Sequence, residues 1–380
     1  MFTVFLVALC LRPAITAVGP LLPQIGVAEG LGETAQGVLG ALPLLAFAAV
    51  SPQVHRLSGR LGMERAVLVA LLVLAAGGIV RSYTGPAGLW AGTLIVGCAI
   101  AVGNVLVPAI VKRDFASNVS RATGVYTACL TLAAATASAV AVPLADAADW
   151  RLSLAVWSGP ALAVAVAWAP RARHPTPHVT KNPARVWRQP HAWALTAFMG
   201  LQSTTFYLLV TWLPTIEIAD GVPERTAGLH LFVYQGMGIV GGLTIPLLLR
   251  DPRRRIAGAV TSSVPVLVAV LGLLFAPALT VLWVVVAGLG QGAALVAALT
   301  LITLGGRTPA ETTKLSGMAQ SLGYLLAATG PVLAGLLAER TGGWTASLVA
   351  VAVLALLQLT AAAVAGRGDR RRHELVTAAG

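Results

Sequence analysis

The sequence predicts an all-α membrane protein of about twelve spanning helices, built as two parallel six-helix repeats. Three observations predict this. Hydrophobic residues fill 57% of the 380 positions and charged residues only 11%, whereas a soluble domain carries about a quarter charged residues. The apolar residues fall in blocks of about 20, the length a helix needs to cross about 30 Å of hydrocarbon. These blocks are apolar on nearly every face, unlike the amphipathic helices of soluble cores. A polar segment from the first half of the chain also recurs in the second.

Breaks at charged and Gly/Pro clusters place the spans at 2–25, 34–55, 66–82, 86–111, 120–145 and 151–169, then 191–217, 225–249, 256–275, 278–305, 312–338 and 343–366. Residues 1–25 lack the basic n-region and short apolar core of a cleaved signal peptide, so the first span is expected to be a retained helix. Residues 171–190, rich in proline and basic side chains, read as a cytoplasmic linker between an N-terminal half (1–170) and a C-terminal half (191–366). Residues 367–380 read as a basic cytoplasmic tail.

With both termini inside, the cytoplasmic segments hold 21 of the 26 basic residues. The outside loops hold Arg81, Arg151, Arg225 and Arg340, and Arg12 lies within a span. This is the positive-inside pattern, so the net charge of +12 reports topology and not a nucleic-acid partner. Cys10, Cys98 and Cys129 lie in separate spans with no Cys-x-x-Cys or Cys/His cluster, which excludes a disulfide framework or metal site. No Walker A sequence is present, so the chain itself is not expected to hydrolyse ATP. No catalytic residue, cofactor or enzyme activity is expected.

The repeat runs without a gap from Pro23 to Gly37 and from Pro214 to Gly228, and it includes the polar turn between each half's first two spans. Two six-helix halves in the same orientation make a parallel duplication. The repeat offset pairs Arg12 of span one with Ser203 of span seven, and the two are expected to face each other across a central cavity.

Charge is costly at the bilayer centre, so an ionisable residue there marks a candidate site. Arg12 is the one central charge. Pro13 follows it and removes a backbone N–H, so a local distortion beside the cation is expected. No Asp or Glu is expected deep in a span to neutralise Arg12, which favours an anionic or strongly polar solute. A structural cation held by carbonyls is the alternative. Gln202, Ser203, Tyr207 and Trp212 of span seven would complete a pocket, with Asn104, Gln235, Gln320 and Tyr324 as further candidates. Helix–helix hydrogen bonding would use the same residue types.

Between spans two and three, Gly59-Arg-Leu-Gly-Met-Glu-Arg65 carries Arg60, Gly62 and Arg65 in the pattern of a cytoplasmic gate motif, with Gly59 where that motif has an acid. Leu11-Arg-Pro-Ala-Ile-Thr-Ala-Val-Gly-Pro-Leu-Leu22, Pro108-Ala-Ile-Val-Lys-Arg-Asp-Phe115 and the segment from Gly200 to Pro214 carry a wider resemblance. On them the chain resembles the cyanate permease and nitroimidazole transporter family of the major facilitator superfamily, over nearly its whole length. The family often has Asn where this chain has Cys10.

The resemblance implies the major facilitator fold and alternating-access secondary transport of a small anionic or nitrogen-containing solute. The expected setting is the bacterial plasma membrane, with the protein acting as a monomer. A co-transported proton is possible, and Asp114 and His230 are the two protonatable side chains in view. A broad-specificity efflux pump, or a membrane sensor with the same fold, is the rival reading.

Overall fold

The computed structural model describes residues 3–115, 119–173, 186–249, 251, 254–306 and 309–378. Twelve helices among them are long and apolar enough to cross a membrane. They are α1 (Thr3–Glu29), α2 (Glu33–Gln53), α3 (Met63–Tyr83), α4 (Gly85–Asp114), α5 (Ala122–Ala147) and α6 (Trp150–Ala172), followed by α7 (Pro190–Ala219), α8 (Glu224–Leu249), α9 (Arg255–Phe275), α10 (Pro277–Gly305), α11 (Lys314–Thr341) and α12 (Thr345–Arg367). All twelve expected spans are present, with ends displaced by a few residues. Most of the linker, at 174–185, lies outside the described residues, as do Arg250 and Arg307. The last helix continues through the expected tail to Ala378.

Local chemistry sets the helix ends. Asp149 caps α6 by accepting from the Leu152 N–H at 2.7 Å. The helix Val54–Leu61, ahead of α3, stops at Gly62, whose φ of 82° a side chain would oppose. The repeat is written into the backbone as well. α1 and α7 both end before a left-handed glycine, Gly30 (φ 63°) and Gly221 (φ 90°). Each turn is closed by the same bond, Leu31 N–H to Gly26 O and Val222 N–H to Glu217 O, both 2.9 Å.

The chain divides into two compact units, residues 1–181 with 213–232, and residues 182–212 with 233–380. In the first, α3 packs on α4 and α6, α2 on α4, and α1 on α5. Its close approaches use glycine: a Cβ at Gly97 would lie 2.8 Å from the Pro43 Cα. In the second, α9 packs on α10 and α12, the counterparts of α3, α4 and α6. Its core gathers Leu195, Phe198, Leu301, Leu315 and Ala362 among small alanines. Large apolar side chains such as Val166 and Leu243 stay exposed on the outside, as a lipid-facing surface requires.

Candidate functional site

The first site feature is a break in α1. The helix from Thr3 stops at Cys10, turns through Leu11–Arg12, and resumes as Pro13–Thr16 and then Val18–Glu29. Pro13 occupies the first position of its short helix, where its missing N–H costs nothing. The turn's carbonyls are served locally. Arg12 O accepts from the Ile15 and Thr16 N–H groups at 3.0 and 3.1 Å. The Thr16 hydroxyl sits 3.2 Å from Arg12 O and 3.0 Å from Ala134 O on α5. The expected distortion beside the cation is therefore present. The Arg12 side chain is half-buried and acts electrostatically on Tyr126 of α5, a proximity that nothing in the sequence spacing signalled. Asn104, on α4 of the same unit, is also half-buried.

The same break explains Arg81. An outside-loop position was expected, but the residue is 2% exposed and its guanidinium donates to Ala14 O at 2.6 Å and Leu154 O at 3.4 Å. α4 begins at Gly85, so almost no loop follows α3. Gly92 lets α4 press on the Arg81 backbone, and the side chain folds back into the unit. A buried cation serves a carbonyl in the interrupted helix because that carbonyl has no solvent to turn to.

In the second unit, α7 presents a polar and aromatic face. The Gln202 amide donates to the Ser203 hydroxyl at 2.8 Å, and both residues are buried. Phe206 meets Tyr207 edge-on at 5.1 Å and stacks with Tyr234 at 6.2 Å. Tyr207 meets Tyr324 of α11 at 6.3 Å. Gln235 is buried beside Tyr234 in the chain. Gln320, half-buried, donates to Ser316 one turn earlier at 2.9 Å.

Trp212 differs from these. Its indole N–H donates to Pro331 O at 2.8 Å and its ring lies 4.7 Å from that of Trp344. It packs against α11 and the residue that precedes α12.

Behind that face runs a buried polar network. The Gln291 amide donates to the Thr205 hydroxyl at 2.7 Å, that hydroxyl donates to Gln358 Oε1 at 2.8 Å, and the Gln358 amide donates to Ser263 at 3.3 Å. It ties α7 to α9, α10 and α12. Gln358 passes unnoticed in sequence because only its partners, far along the chain, give it a role.

At the other end of the first unit, Arg60 is exposed and Gly62 supplies the left-handed turn already described. The Arg65 Nε donates to Ala172 O at 3.0 Å. Within the same segment, Glu64 is bonded to Arg113 at 2.6 Å. Arg113 also holds Asp114 at 2.8 Å, and Asp114 bonds Arg171. The Trp168 indole donates to Glu64 O at 2.9 Å, with Arg171 over its ring. This ion network joins α3, α4 and α6. Glu64 is 3% exposed and Glu217, near the end of α7, is 2% exposed. Both are buried at the ends of their spans, and among the described residues no Asp or Glu lies midway along one.

Comparison with known proteins agrees with this architecture. Residues 4–328 match the Major Facilitator Superfamily. The chain is 38% identical over 376 residues to the 2-nitroimidazole transporter of Escherichia coli K12, covering 97% of this chain and 95% of that one. It is 30% identical over 345 residues to the cyanate transport protein CynX of the same organism, covering 89% and 90%. Among solved structures, an inward-facing bacterial homolog of the human lysosomal transporter Spinster superposes with a TM-score of 0.82 at 15% identity, over 97% of this chain and 96% of that one. At that identity the likeness concerns the fold. Family and relatives together exclude an enzyme: the chain belongs to the Major Facilitator Superfamily and is a multi-pass secondary transporter of small solutes.

Proposed function

We propose that this transporter moves a small anionic or polar nitrogen-containing solute, of the class that the names of its relatives describe, and that Arg12 binds it. The observation that carries the reading is the interruption of α1 at Leu11–Arg12. It puts a cation in mid-span beside backbone that is already bent and already hydrogen-bonded. Interrupted helices in transporters turn positive helix N-termini toward anionic groups of their solutes, and a cation at such a break adds to that field. A planar guanidinium suits a carboxylate-like, cyanate or nitro group better than an ammonium would, since it donates in a fixed fork. Asn104 adds an amide near the same depth. In the second unit Gln202, Ser203, Gln235 and Gln320 supply hydrogen bonds, and Tyr207 with Tyr324 supplies aromatic faces.

Arg60, Gly62 and Arg65 are assigned to a gate on the cytoplasmic side, with Glu64 as its acid. The positive-inside count supports cytoplasmic termini, and the Escherichia coli relatives support a bacterial plasma membrane. We further propose that a proton is co-transported, which the bonded and protonatable pair of Glu217 and His230 supports, and that the working unit is a monomer.

The test is uptake into proteoliposomes of a panel of small anions and nitrogen heterocycles, comparing the wild type with Arg12→Gln. Loss of uptake by a folded variant is expected. A folded variant that transports every accepted solute as the wild type does would make Arg12 structural.

A further inference from the structure

The turn between α7 and α8 holds a group that the solute site does not use. Glu217 of α7 and His230 of α8 share a hydrogen bond of 3.0 Å between Oε2 and Nδ1. The carboxylate side chain is 1% exposed and the imidazole 14%. The other carboxylate oxygen, Oε1, is buried with no hydrogen-bond partner among the described residues. Leaving a buried charged oxygen unsatisfied is costly, and an ionisable group within a span marks function by default.

Folding does not account for the carboxyl. The backbone duty of position 217 is to accept the closing bond from Val222 N–H. In the first half Gly26 performs the same duty for Leu31 with no side chain at all. At His230 the repeat offset gives Leu39, a buried apolar residue. The pair therefore belongs to the second half alone and was added to a turn that closes without it.

The surrounding charges leave it protonatable. Asp220, on the same turn, is the charged group acting on Glu217. From α8, Glu224 accepts from Gln24 of α1 at 2.7 Å, and Arg225 pairs with Asp146 of α5 at 2.7 Å. On α1, Glu29 is taken by Arg151 of α6 at 2.6 Å. Arg151 and Arg225 thus have their own carboxylates, and among the described residues Glu217 has only the imidazole.

We propose that Glu217 and His230 form the proton-binding site of this transporter, loaded and emptied once in each transport cycle; this rests on the co-transport reading above. A proton arriving from water binds the more exposed imidazole and makes it an imidazolium. Its Nδ1 proton passes to Glu217 Oε2, leaving a neutral carboxyl and a neutral imidazole. Release runs the same two steps backwards. In the loaded state the pair carries no net charge, so the orphan Oε1 is a carbonyl-type oxygen and no longer a buried anion.

Two measurements test it. Infrared difference spectra of the purified full-length protein across a pH series report a buried carboxyl directly, without any solute. We expect a protonated-carboxyl band that titrates in the wild type, vanishes in Glu217→Gln, returns displaced in Glu217→Asp and changes its midpoint in His230→Gln. In proteoliposomes, with labelled cyanate as the probe, we compare accumulation driven by a pH gradient with exchange at equal pH. The ratio of the two should fall at least tenfold in Glu217→Gln and recover in part in Glu217→Asp. An unchanged ratio, or a titrating band that survives Glu217→Gln, overturns the proposal, as does Glu217→Asp behaving like Glu217→Gln in both measurements. A wild type indifferent to the pH gradient but with the expected band refutes co-transport while upholding the pair as a proton-binding site.

Discussion

Replacing Gly292 of α10 by alanine tests the packing physics of the second unit against an internal control. A Cβ built there would fall on the carbonyl oxygen and backbone of Gly238 in α8, far inside van der Waals contact. The obstacle is backbone, which cannot rotate away as a side chain can, so the two helices must separate. Overpacking of a close contact costs about 1–3 kcal/mol. The gain in helix propensity from glycine to alanine returns about 1 kcal/mol at most. A net loss of up to about 2 kcal/mol is expected for Gly292→Ala and more for Gly292→Val.

Gly236 lies in the same glycine-rich run of α8, but a Cβ there meets nothing within 4 Å. Gly236→Ala should be neutral or gain up to about 1 kcal/mol. Thermal unfolding of the purified proteins in one detergent, followed by size-exclusion fluorescence, orders the three. Gly292→Ala melting at or above Gly236→Ala would refute the claim that glycine is required there for close approach.

Two further outcomes follow from the buried charges. Arg81→Met keeps the volume but removes the donor to Ala14 O, a charge-assisted bond worth about 1.5–3 kcal/mol, while relieving the desolvation of a buried guanidinium. Stability should change little, whereas solute affinity should fall about tenfold because Pro13–Thr16 loses its anchor beside Arg12; unchanged affinity contradicts that role. Glu64→Gln strips Arg113 of one of its two carboxylates, and because Arg113 is 32% exposed the loss should lie nearer the about 1 kcal/mol of an exposed pair than the about 3–5 kcal/mol of a buried one. Arg60→Ala, at an exposed position, should stay within about 0.5 kcal/mol of wild type, and equal melting of the two variants would remove the Glu64 network from the gate.

Much of this protein is legible in its sequence because the bilayer simplifies the problem. Length and hydropathy suffice to place twelve helices, since irregular backbone is excluded from lipid. Pro13 after Arg12 announces the break in α1. The repeated Pro-to-Gly segment foretells two left-handed glycines in matching turns. Arg81 and Glu217 were missed for one common reason: each lies at the edge of an apolar block, where periodicity cannot separate a loop charge from one folded back inside. Their partners, the Ala14 carbonyl and the His230 ring, are joined only by tertiary packing. Trp212 is a related case, an aromatic of span seven whose N–H is committed to Pro331, a bond that the sequence spacing does not announce.

Equilibrium binding of cyanate to the purified protein, measured by calorimetry for wild type, Arg12→Lys and Arg12→Gln, bears most directly on the central claim that Arg12 binds the solute. The account predicts that Lys, which keeps the charge but loses the fork, weakens binding by about tenfold. Gln should weaken it by a hundredfold or more, about 2.7 kcal/mol. Folded Arg12→Gln protein that binds cyanate as tightly as the wild type would contradict it.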